Sequence, residues 1–255
     1  MSRALQQIPV KELSMKFRGT RSLRPILLAF ALAAVLPAPA LAQTYLPPSG
    51  PLQPVVAKGG MVVAQERLAA NIGATILAAG GNAVDAAVAV GFAMAVTYPR
   101  AGNLGGGGFM VVHLGATNED IAIDYRETAP AAATRDMFVT ADGKPDIRKS
   151  REAGTAVGVP GTVAGLYLAF SRYGSGRFAF GQLIVPAIVL AEDGFTLTDD
   201  IADSLPGQRE RMARFPSSAK IFLKADGTSL GEGDRLVQAD LGRTLRAIVA
   251  QGPAG

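Results

Sequence analysis

The stretch from Ala83 to Val96 constrains the fold more than any other, because it is apolar almost all round. A helix without a polar face must be covered on every side, so the chain has to supply further layers around it. Asn82 stands where an N-cap belongs, and Asp85 falls in the first turn, where the helix dipole favours negative charge. Pro99 closes the segment well short of the roughly twenty residues a membrane span needs.

The flanking pattern supplies the covering layers. Met61–Ala64 is a short strand candidate, and Glu66–Ala79 is a helix stopped by Gly80-Gly81. Phe109–Leu114 and Ile121–Tyr125 are β-rich segments joined by a polar loop, the pattern of an antiparallel hairpin. Pro130–Ile147 is expected to be an irregular crossing. Helices are expected from Thr162 to about Arg172, at Phe180–Glu192, at Thr198–Arg214 and at Ala239–Ala250. Asp226-Gly227 is a hairpin turn signal between Lys220–Lys224 and Leu230. Helices, a hairpin and more helices suggest sheet buried under Ala-rich helices; a doubly wound parallel sheet fits less well.

With 255 residues, 49% of them hydrophobic, the chain can build one large domain or two small ones. It has no Cys, which excludes disulfides, a thiolate metal site and a Cys nucleophile, and its single His113 cannot build a His-based zinc site. The net charge of +4 misleads. Residues 1–42 hold six of the 25 Lys and Arg and one of the 21 acids, so the remainder carries 19 basic and 20 acidic residues, a net of −1. A nucleic-acid footprint is therefore absent.

The same 42 residues form a secretory signal pattern. Lys16, Arg18, Arg21 and Arg24 precede the apolar run Ile26–Leu36, and Pro37–Ala42 ends in small residues. Cleavage is expected after Ala42, which gives a periplasmic or secreted protein with no stable membrane insertion. The start is Met1 or Met15. Residues 43–54 are expected to be a flexible leader, with the folded part, 55–255, following.

Asn103-Leu104-Gly105-Gly106-Gly107-Gly108-Phe109 carries four consecutive glycines. No Lys-Ser/Thr pair follows, so it is not a phosphate loop, and the strand after it excludes a dinucleotide fingerprint. It is either a tight loop against a buried helix or a place where a ligand approaches the backbone. Downstream, strand alternation puts Asp124 and Arg126 on one face and Tyr125 on the other. Arg126 either makes a structural ion pair with Asp124 or Glu127, or forms a bidentate clamp on a substrate carboxylate. His113 is expected to be half-buried and structural, Asp199-Asp200 helix N-terminal charges, and Arg209, Arg211 and Arg214 a solvated basic face.

Gly81–Ala89, Ala101–Phe109, Asp124-Tyr125-Arg126-Glu127-Thr128-Ala129-Pro130, Ala133–Phe138, Gly158–Gly165 and Ala191–Phe195, in that order, resemble the γ-glutamyltransferase (glutathione hydrolase proenzyme) family. The resemblance runs from about Val55 to the end and is nearest the bacterial periplasmic members. It implies an α+β fold, the N-terminal nucleophile hydrolase αββα sandwich, incomplete in this chain as the N-terminal part of the large subunit. It implies a γ-glutamyl substrate such as glutathione and a small subunit produced by autocleavage of the proenzyme. An N-terminal Thr of that subunit is the nucleophile, and no metal or organic cofactor takes part. Arg126 matches the family residue that holds the γ-glutamyl α-carboxylate. The chain has no Thr-Thr pair, so no catalytic residue is assigned within it. The expectation is a fragment inactive alone. The alternative is a catalytically dead periplasmic binding or regulatory protein that keeps the carboxylate pocket.

Overall fold

The computed structural model describes residues 54–254; the expected signal peptide (1–42) and residues 43–53 of the leader lie outside the described residues. The first element among the described residues is α1 (Arg67–Ala78), followed by α2 (Ala83–Thr97). A hairpin of β1 (Phe109–Leu114) and β2 (Glu119–Asp124) comes next, then α3 (Ile147–Glu152), α4 (Thr162–Tyr173) and α5 (Phe180–Asp193). The last part holds β3 (Phe195–Thr196), α6 (Asp199–Ala202), α7 (Arg209–Ala213), α8 (Pro216–Phe222), β4 (Arg235–Leu236) and α9 (Ala239–Gln251).

The all-apolar helix lies at the centre, as its composition requires. α2 packs against α1, α4 and α5, and α9 covers the far side of α5. Val88, Phe92 and Val96 of α2, with Leu183 and Ile184 of α5, are fully buried. Phe92 meets Phe180 edge-on, with ring centroids 5.7 Å apart. The start of α2 is held by a reciprocal capping box. The Asn82 side chain accepts from the Val84 and Asp85 amides, and the Asp85 carboxylate accepts from the Asn82 amide at 3.0 Å. Such caps are each worth about 1 kcal/mol.

The hairpin is antiparallel, in the register Phe109↔Asp124 through Leu114↔Glu119, and a second ladder pairs Phe195 with Leu236. Val112 and Ile123 are buried, but Phe109 and Val111 on the other side are 64% and 78% exposed. Helices therefore cover one face of this sheet, not both.

Three local expectations are corrected. Met61–Ala64 pairs with no strand; Val62 instead packs on α1 at Gly73, where a Cβ would lie 2.9 Å from its Cγ1. Thr198–Arg214 is not one helix but α6, a 3₁₀ turn at Pro206–Gln208, and α7, because Pro206 cannot donate to the preceding turn. The Asp226-Gly227 turn is present, with Gly227 at φ +79°, but its first arm is helix α8, begun by Pro216. The hairpin shrinks to a single Leu223–Ser229 bridge.

Between α5 and α9, Arg246 clasps Glu192 with its Nε at 2.6 Å and Nη2 at 2.5 Å. This pair holds the Glu192 carboxyl below its ordinary value. A carboxylate depressed on folding stabilises the protein above its unfolded pKa, and that contribution is lost as pH falls through the folded value. Arg246→Gln is therefore expected to lower the melting temperature at pH 7 and to converge with wild type toward pH 3. A deficit equal at both pH values would exclude this pair as a source of pH-dependent stability.

Candidate functional site

Arg126 lies two residues beyond the end of β2, and its position is set through the backbone on either side. The Tyr125 amide donates to the Gly108 carbonyl at 3.1 Å, and the Gly108 amide to the Tyr125 carbonyl at 3.4 Å. Thr128 exchanges two backbone bonds with Val159, at 3.3 and 2.9 Å. Residues 125–128 are thereby threaded between the glycine run and the segment that leads into α4.

This close approach explains Gly107 and Gly108, and a contact within the loop explains Gly106. A Cβ on Gly107 would lie 2.5 Å from the Tyr125 carbonyl oxygen, 2.7 Å from the Glu127 nitrogen and 2.8 Å from the Arg126 Cα. One on Gly108 would lie 2.8 Å from the Tyr125 ring, and one on Gly106 2.7 Å from the Asn103 side chain. The opposite wall is the same. A Cβ would stand 2.0 Å from the Tyr125 carbonyl oxygen at Gly161 and 2.2 Å from the Tyr125 ring at Gly165. Gly105, by contrast, faces open space. Sequence reasoning found the run but not Gly161 and Gly165 as its counterparts.

Tyr125 is wedged between these walls, and burial pushes its phenol up from the ordinary value, so it stays neutral at physiological pH. Its hydroxyl lies 3.5 Å from the Phe109 carbonyl oxygen. The Arg126 side chain is on the exposed side. The Asp124 carboxylate accepts from the Arg126 backbone amide at 3.0 Å, not from its guanidinium. Among the described residues no carboxylate is paired with that guanidinium, whereas Arg100, Arg135, Arg214 and Arg246 each hold one. The structural ion pair weighed for Arg126 is thus not made. What remains is a planar donor fork on a rigid backbone, suited to an external carboxylate.

The other candidates fall away from this place. His113 is exposed, not half-buried, and bonds Asp120 at 2.9 Å. Asp200 holds Arg100. Arg209, Arg211 and Arg214 are exposed, as expected of a solvated basic face, and reach the Gly227 carbonyl, the Arg151 carbonyl and Glu152. A cleft of about 600 Å³ lined by Pro99, Ile201, Leu205, Met212 and Phe215 does not include Arg126. Its Arg100 is already committed to Asp200 and the Tyr98 hydroxyl. Among the described residues no group of three or more His, Asp or Glu side chains could hold a metal ion.

Comparison with known proteins gives the geometry its context. A family profile described as Gamma-glutamyltranspeptidase matches residues 69–255. The Glutathione hydrolase proenzyme of Escherichia coli (strain K12) is 44% identical over 232 residues, 88% of this chain and 40% of that protein. The Glutathione hydrolase proenzyme of Bacillus subtilis (strain 168) is 45% identical over 198 residues, 77% of this chain and 33% of that protein. The crystal structure of Helicobacter pylori gamma-glutamyltranspeptidase superposes with a TM-score of 0.74 at 44% identity, covering 79% of this chain and 56% of that one. The chain thus spans less than half the length of these two curated relatives.

Proposed function

Because the chain belongs to the γ-glutamyltranspeptidase family and carries part of its α+β N-terminal nucleophile hydrolase fold, we propose that it serves γ-glutamyl transfer and hydrolysis, with Arg126 as the clamp for the substrate's α-carboxylate. The observation that carries this reading is the combination of a backbone fixed on both sides and a guanidinium left without a carboxylate. A bidentate, charge-assisted pair there contributes on the order of 1.5–3 kcal/mol to binding.

With the α-carboxylate held, the γ-amide of glutathione is presented to a nucleophile. We assign that nucleophile to an N-terminal Thr on the small subunit produced by autocleavage, outside these 255 residues, which contain no Thr-Thr pair. The Thr hydroxyl adds to the γ-carbonyl carbon while its own α-amino group takes the proton. The C–N bond breaks, and the amine leaves with that proton. The γ-glutamyl ester then passes to water or to an acceptor amine. The secretory pattern of residues 1–42 supports a periplasmic or secreted setting. Among the described residues no helix is long and apolar enough to cross a membrane.

Removing a nucleophile lowers catalysis by several orders of magnitude. The 255-residue chain alone is therefore expected to show no turnover of a γ-glutamyl anilide, while glutamate shifts the Arg126 Nε–H resonance in a nitrogen-edited NMR titration. Arg126→Ala should weaken glutamate binding about tenfold or more. Unchanged binding would remove Arg126 from the site.

A further inference from the structure

We infer that Asn103 is a positioning residue for Arg126, acting through the glycine loop that its side chain ties to the first residue of α4. The inference rests on Arg126 being the carboxylate clamp.

The Asn103 Oδ1 accepts two hydrogen bonds, from the Gly106 amide at 3.0 Å and from the Thr162 hydroxyl at 2.5 Å. Its Nδ2 donates to the Ala101 carbonyl at 3.3 Å. The Gly106 carbonyl in turn accepts from the Gly161 amide at 2.8 Å and the Thr162 amide at 3.1 Å. These donors stand at the start of α4, where helix amides lack partners within the helix, and the cap residue Gly161 has no side chain to offer them. Loop and helix therefore complete each other. Asn103 reaches across to Thr162, which is only 7% exposed, and Gly106 caps the helix in return.

The consequence for Arg126 follows from what glycine lacks. A run of glycines has the greatest backbone freedom of any sequence and no side chains with which to anchor itself. Gly107, next to the tethered Gly106, is the wall against the Arg126 Cα. The Asn103–Thr162 tie thus selects one loop conformation, and that conformation sets where the Arg126 fork stands. An amide suits the role because it accepts two bonds at one end and donates at the other. A carboxylate could not donate to the Ala101 carbonyl.

The test uses the full chain and two probes, glutamate and 4-aminobutyrate, which is glutamate without its α-carboxylate. Binding is followed at the Arg126 Nε–H resonance and by ligand-observed saturation transfer. Asn103→Ala and Thr162→Val are expected to weaken glutamate about tenfold. Binding of 4-aminobutyrate, weaker from the outset, should stay within about twofold because it does not use the fork. Thr162→Ser restores the hydroxyl and should recover wild-type affinity for glutamate. The double variant Asn103→Ala/Thr162→Val should weaken glutamate no more than the stronger single variant, since both remove one shared bond. Equal weakening of both probes, or failure of Thr162→Ser to rescue, would show general loosening and overturn the inference. If wild type binds glutamate and Arg126→Ala does not, but Asn103→Ala behaves as wild type, this inference fails and the Arg126 reading stands. If wild type shows no glutamate response, both fall.

Discussion

Gly161→Ala is expected to destabilise the protein by about 3 kcal/mol, the upper end of what overpacking usually costs, and to abolish glutamate binding at Arg126. The added Cβ would stand 2.0 Å from the Tyr125 carbonyl oxygen and 2.8 Å from its carbonyl carbon. Both are backbone atoms, so no rotamer change can relieve the clash. The strand end has to move, or the start of α4 has to retreat. Retreat breaks the bonds from the Gly161 and Thr162 amides to the Gly106 carbonyl, and a displaced strand end carries Arg126 with it. Gly105→Ala is the matched control. That glycine faces open space and is not in the left-handed region, so alanine there should be neutral or stabilise by up to about 1 kcal/mol through the unfolded state. Chemical denaturation of the two variants beside wild type measures both. Equal costs at positions 161 and 105 would refute the view that close approach to residues 125–128 is what demands glycine.

That contrast also shows where the sequence stops being legible. The central helix was readable because an all-apolar stretch behind an Asn cap has few alternatives, and the hairpin because two β-rich runs flank a polar loop. The four glycines were visible as a run, but their reasons are separate. Gly106 yields to Asn103, Gly107 to the Arg126 backbone, Gly108 to the Tyr125 ring, and Gly105 to nothing. Period and propensity describe a residue's neighbours along the chain, whereas the contacts of Gly107 and Gly108 join residues far apart in it. The matching glycines at 161 and 165 could have been suspected only by asking what a second Gly-rich segment was making room for.

The errors have a similar origin. Thr198–Arg214 reads as one helix if helix formers are counted and Pro206-Gly207 is passed over. Phe215-Pro216-Ser217-Ser218 carries a helix start that the later Asp226-Gly227 turn signal obscured. His113 alternates correctly with the buried positions of β1, yet it faces outward, because the register that buries Val112 leaves its neighbours exposed. At Arg126 the sequence left two roles open. The structure puts the Asp124 carboxylate on the backbone amide instead of the guanidinium, so the ion pair with Asp124 is not made.

Asp85→Ala is expected to cost about 3 kcal/mol, for a reason the cap pattern alone does not contain. Asp85 is fully buried, and its carboxylate does more than close its own helix. Besides the Asn82 amide at 3.0 Å, it accepts from the Ser175 amide at 3.3 and 3.2 Å, across the fold at the end of α4. Asn82 completes the junction by donating its Nδ2 to the Tyr173 carbonyl at 2.7 Å. A buried carboxylate is tolerable only where donors surround it, and here they are backbone amides aided by the positive end of α2. Alanine would strand the Asn82 and Ser175 amides in the interior, each at a cost of about 1–3 kcal/mol. Asparagine keeps one acceptor oxygen, so Asp85→Asn should lose roughly half as much. Urea unfolding with an unchanged denaturant slope would assign the loss to the native junction. A deficit below about 0.5 kcal/mol for alanine, the range of ordinary surface substitutions, would contradict the assignment. Because α4 is pinned at its far end by Asp85 and at its near end by the glycine loop, the two variants should differ in kind. The Asp85 change lowers stability and leaves the preference for glutamate over 4-aminobutyrate intact, whereas the Gly161 change removes it.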